Sequence, residues 1–116
     1  MSGMYTYINC RTKFYDNEYT APDLPGNKGW YHPDDLFPNL PTSYDLILID
    51  GPGGGRYGRG GFYKHIDKFN TNVPMIFDDV HVEDKGLALM RKVSEHVGRE
   101  YKMLKTDPTQ QTGYIL

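Results

Sequence analysis

The chain has 116 residues, 13 of them Lys or Arg and 15 Asp or Glu, a formal net charge of -2 that gives no reason to expect nucleic acid or an anionic membrane as partner. Its length suits one domain, residues 1–116, with a modest core. A single cysteine, Cys10, excludes an internal disulfide and a cysteine-based zinc site, no apolar run nears the roughly 18 residues of a membrane span, and the first residues lack a basic-then-apolar targeting pattern, so the expectation is a soluble, cytoplasmic protein.

From the amino end, Met4 to Phe14 alternates: Thr6, Ile8, Cys10 and Thr12 fall on one side, Tyr5, Tyr7, Asn9 and Arg11 on the other. That reads as a strand with one wetter face. Between Tyr15 and Pro41 the prolines at 22, 25, 33, 38 and 41 and the glycines at 26 and 29 argue against a long helix or a central strand. One helical turn, Pro33 to Phe37, is expected there, because proline at the first helical position is already set in φ.

Leu46 to Ile49 is an unbroken apolar run, the signature of a strand covered on both faces in a parallel sheet. Asp50, Gly51, Pro52 and three further glycines end it. Phe62, Ile66 and Phe69 then follow at i, i+4 and i+7, a short amphipathic helix with Lys64, His65 and Lys68 on its outer side. Val73 to Phe77 is a second apolar strand, closed by Asp78 and Asp79. Strand, helix and strand together read as a βαβ unit with parallel strands. Glu83 to Val97 is the longest helix, with Leu87, Met90, Val93 and Val97 as its apolar stripe and Gly98 past its end. Tyr101 to Lys105 and Gly113 to Leu116 form a terminal β-hairpin.

Three groups of residues bear on chemistry. Asp50, Asp78 and Asp79 end neighbouring parallel strands, the edge of an open α/β sheet where ligands gather. Three carboxylates there can hold a hard cation such as Mg2+ or bind the hydroxyl or amine of a small-molecule ligand, with His81 as general base or metal ligand or, as is commoner, a solvated loop histidine. Aspartates also commonly end strands and cap the next helix or turn. The run GPGGGRYGRGG from Gly51 lets backbone N–H groups approach an anion, with Arg56 or Arg59 to pair with it. It lacks the lysine and hydroxyl of a P-loop, and one such run is too little for single-stranded nucleic acid. Trp30, Tyr31 and His32 either recognise a ring-bearing substrate or plug a loop onto the core.

In this order the elements resemble the carboxyl-terminal half of a class I S-adenosylmethionine-dependent methyltransferase. The resemblance lies in Asp45 to Arg56, in the pair Asp78 and Asp79, and in Gly29 to Leu36 ahead of the central strand. It implies an α/β fold: a partial Rossmann-like sheet with parallel central strands, flanking helices and a C-terminal β-hairpin. It implies S-adenosylmethionine as cofactor, with Asp50, Gly51 and Pro52 in contact with it, and methyl transfer to oxygen or nitrogen with Asp50, Asp79 and His81 near the acceptor. By likeness to the metal-dependent branch, Asp50, Asp78 and Asp79 would hold Mg2+. The family's glycine-rich loop after its first strand and its ribose-binding acid have no counterpart here. The chain thus reads as a truncated or reduced methyltransferase-like domain, its missing half supplied elsewhere or its exposed sheet edge paired in a homodimer. The alternative is a non-catalytic binding or assembly module built on that fold.

Overall fold

The structure, a computed structural model, describes residues 9–21, 24–53, 57–80, 86–107 and 110–116. Strands β1 (Thr12–Ala21) and β2 (Leu24–Tyr31) pair antiparallel as a separate two-stranded ribbon. Helix α1 (Pro33–Leu36) follows, with His32 as its N-cap accepting the Asp34 N–H on Nδ1, and a 3-10 turn, Phe37–Asn39, extends it. Next come β3 (Ile47–Ile49), α2 (Gly61–Lys64) with a 3-10 turn at Ile66–Lys68, and β4 (Met75–Phe77). Helix α3 (Ala88–Val97) ends at Gly98, and β5 (Tyr101–Asp107) and β6 (Gln110–Ile115) close the chain as a hairpin.

The architecture is mixed α/β. Four strands form one sheet in the order β3-β4-β6-β5, with β3 parallel to β4 and both β4 and β5 antiparallel to β6. The parallel pair, α3 and the terminal hairpin agree with the expectation from sequence. The helix expected over 62–69 is broken into a four-residue α2 and a 3-10 turn. Of the helix expected from Glu83, residues 83–85 lie outside the described residues.

Two expectations are corrected. The segment Tyr15 to Pro41 holds most of a ribbon that the prolines and glycines concealed. Two strands pairing only with each other tolerate residues that an internal strand would not. The strand expected from Met4 lies outside the described residues up to residue 8, and its described part becomes strand only at Thr12. The second correction concerns Leu46 to Ile49. This run forms an edge strand covered on one face, not a central strand covered on both. Ile49, Phe77, Met103 and Gly113 share the covered face, where the Met90 side chain of α3 packs on the Gly113 backbone. The opposite face presents Leu48, Ile76, Tyr114 and Lys102 in register across all four strands. Leu48 is 61% exposed and Leu104 51%, so helices flank only one side of the sheet among the described residues.

The core lies between the covered face, α2, α3 and the ribbon, around Trp30, Phe62, Met75, Phe77, Met90 and Ile115. Trp30, 4% exposed, stacks on His65 at 5.7 Å and 20°, with Phe37 and Phe69 6.3 and 6.2 Å away. This turns His65 inward, although its spacing placed it on the outer side of the helix. A Cβ at Gly61 would meet the Trp30 ring, so glycine there is what lets α2 approach β2. The buried Asn27 ties the same two segments: its Nδ2 donates to the Leu24 carbonyl (2.6 Å) and its Oδ1 accepts the Gly60 N–H (2.8 Å). Arg11 clamps the start of the ribbon to α1 through a two-pronged pair with Asp35 (2.8 and 2.9 Å).

Candidate functional site

Parallel pairing sets the site. Ile49 and Phe77 are register partners, and the Asp78 N–H donates to the Ile49 carbonyl at 3.0 Å. The residues directly after them, Asp50 and Asp78, must therefore emerge side by side at the carboxyl edge. Asp79 adopts a left-handed φ of 57°, a conformation that aspartate tolerates better than most residues, and its carboxylate joins the same edge. One carboxylate oxygen from each of the three lies within 4.8 Å of the others.

Arg59 occupies this edge with them. Its Nη1 donates to the Asp78 carbonyl at 3.0 Å and its Nη2 to Asp79 Oδ2 at 3.1 Å, with Asp50 Oδ1 at 3.7 Å. The Arg59 side chain is only 17% exposed, so its charge is committed to the protein. The carboxyl of Asp50 is pushed above its ordinary range, first by a hydrogen bond with Asp78, then by burial and by repulsion from Asp78 and Asp79, with Arg59 opposing. The Tyr31 hydroxyl is also raised, chiefly by burial. It rests against Gly51 where a side chain would otherwise project, so Gly51 is required by that contact.

Beside Asp50 a pocket of about 130 Å³, half open to solvent, lies along the edge of β3, lined by Trp30, Leu36, Ile47, Ile49, Phe62 and Phe69, with Asp50, Gly51, Tyr31 and exposed Leu48 also on its wall. The Trp30 Nε1 is buried with no hydrogen-bond partner among the described residues.

Asp50, Asp78 and Asp79 thus come together as their sequence positions imply. Gly51 lies at the cavity wall, whereas Pro52 is buried. His81 and Arg56 lie outside the described residues. Arg59 pairs with the protein's own carboxylates, and Tyr57 stacks on Phe14 at 4.7 Å, so neither presents itself to a nucleic-acid strand. A divalent cation there would compete with the Arg59 guanidinium for Asp79 and Asp50. Sequence reasoning missed Asn27, the inward role of Arg59 and the cavity at Trp30. Only the WYHP run hinted at the last, by placing an aromatic pair next to a helix start. No family model, curated protein or solved structure matches the chain.

Proposed function

We propose that the chain is the acceptor-binding part of a methyltransferase-like domain, serving S-adenosylmethionine-dependent transfer to an oxygen or nitrogen of a small molecule. The observation that carries this reading is the meeting of Asp50, Asp78, Asp79 and Arg59 beside an apolar cavity. Methyl transfer asks a protein to position the acceptor and take up its proton. An acceptor in the pocket would lie against Asp50, whose carboxylate, raised in its proton affinity by its neighbours, can receive that proton. Arg59 offsets the charge that remains. The parallel pair, helix and terminal hairpin also keep the order that the sequence resemblance calls for.

Calorimetry with S-adenosylhomocysteine on the full chain tests the reading. Saturable binding weakened by Asp50→Ala is expected. Absence of heat at millimolar ligand would leave the chain without a methyl-transfer role of its own.

A second reading, a non-catalytic assembly module, draws on the uncovered sheet face. Leu48, Ile76 and Tyr114 on that face, together with the free edge of β3 among the described residues, suit pairing with another chain or a second copy. The calorimetry above separates the two readings, and light scattering tests the module on its own: a stable monomer at high concentration counts against it.

A further inference from the structure

We infer that the outer edge of β3 docks a short extended peptide, apolar at alternate positions and basic at both ends, which adds to the sheet as a further strand. This deepens the assembly reading of the same edge and rests on it, not on methyl transfer. The backbone comes first. The Ile47 N–H donates to the Pro74 carbonyl and the Ile49 carbonyl accepts from the Asp78 N–H, both at 3.0 Å, so Ile47 and Ile49 are turned to β4. Successive residues of a strand turn their N–H and C=O to opposite sides. Leu48 therefore offers both groups outward, where no further strand lies among the described residues. Main-chain bonds to such an edge are what hold an added strand.

Side chains and charge then name the occupant. The half-open pocket lies along this edge, with Ile47 and Ile49 on its wall beside Trp30, Leu36, Phe62 and Phe69. Register partners share a face of a sheet, so residues laid opposite Ile47 and Ile49 point toward that wall, and those opposite Leu46 and Leu48, which are 50% and 61% exposed, cover the open face. Asp45 before the strand and Asp50 after it are both exposed. Beyond Asp50 stand two more carboxylates against one guanidinium, so both ends of the edge are acidic. A second copy is disfavoured by the same charges: antiparallel self-pairing centred between Ile47 and Leu48 sets each Asp45 directly opposite an Asp50, where like charges repel. A lysine or arginine at each end of the added segment turns both contacts attractive. With only three residues in β3, a linear segment suits the edge better than another sheet.

The Leu48 amide reports on the edge directly. In the free chain it is expected to exchange its hydrogen much faster than the Ile47 and Ile49 amides. The capped heptapeptide KTVTVTK reads the same in both directions, so strand direction does not matter. Titrating it is expected to slow exchange at Leu48 and to shift that amide saturably in a 1H–15N spectrum, with ETVTVTE binding at least about tenfold more weakly. Asp45→Lys, at an exposed site, is expected to weaken KTVTVTK by a similar factor while the spectrum stays that of a folded protein. A Leu48 amide already protected in the free monomer, equal affinity for the two peptides, or a shift that does not saturate overturns the proposal. If that failure comes with a dimer in light scattering, a second copy holds the edge and the assembly reading stands. If it comes with a monomer, both fall.

Discussion

Arg59 Nη2 stands 3.1 Å from Asp79 Oδ2, and the other terminal nitrogen of the same guanidinium reaches the Asp78 carbonyl at 3.0 Å. One cation therefore fixes both the backbone and the side chains of the acidic edge. Arg59→Met keeps much of the volume and removes the charge. It is expected to lower stability by about 1–3 kcal/mol in urea denaturation. It should also create measurable Mg2+ affinity by calorimetry, where the unaltered chain, with Arg59 in place, binds far more weakly. Equal Mg2+ binding by both proteins would mean that Arg59 does not occupy the cation position.

Asp50→Asn should leave the fold as stable at neutral pH or make it more stable. The sign follows from the raised carboxyl of Asp50. Its proton is held more tightly in the folded state than in the unfolded one, so its contribution falls as pH rises from the ordinary carboxyl value of 3.8 through the higher folded value. Asparagine removes that slope, and denaturation midpoints for the two proteins should diverge as pH is raised through that window. Parallel midpoints would contradict the raised carboxyl of Asp50.

His65 titrates in the opposite sense to a histidine that gains a carboxylate. Burial, with Lys64 and Lys68 nearby, holds its imidazole below the ordinary value of 6.5. The stabilisation present above that pH is therefore lost as pH falls through the lower folded value. His65→Gln should flatten the pH dependence of the urea midpoint below neutrality relative to the unaltered chain. If both lose stability equally between neutral and mildly acidic pH, other groups are responsible.

Gly61→Ala would press a methyl group into the Trp30 ring. Overpacking of this kind costs about 1–3 kcal/mol, and the Trp30 fluorescence maximum should shift as the ring moves from its stack on His65. A change within error in both readouts would show that β2 and α2 separate easily.

Leu48→Lys tests the uncovered face. In a monomer, a charge at a position 61% exposed should change stability by no more than about 0.5 kcal/mol. In an assembly that buries Leu48 it should lower the mass seen by light scattering.

Sequence made the acidic edge legible because strand termini are local and a strand–helix–strand unit this short pairs its two strands in parallel. Once Ile49 and Phe77 end neighbouring parallel strands, Asp50 and Asp78 have nowhere else to go. The β5–β6 hairpin and the buried Met90 and Val93 of α3 were likewise readable from alternation and from helical spacing. The ribbon was not, since the prolines and glycines before α1 read as breakers. The one-sided covering of β3 was equally hidden, because Leu46 to Ile49 is composed like a buried strand and only the tertiary arrangement leaves Leu48 exposed. His65 and Arg59 escaped for a related reason: their partners, Trp30 and Asp79, are distant in sequence.

The Asn27 amide has a mechanical consequence. It holds the Leu24 carbonyl at the ribbon's turn and the N–H of Gly60, the residue next to Arg59. One buried side chain therefore staples the core end of β2 to the backbone beside Arg59, and losing that amide would free two segments at once.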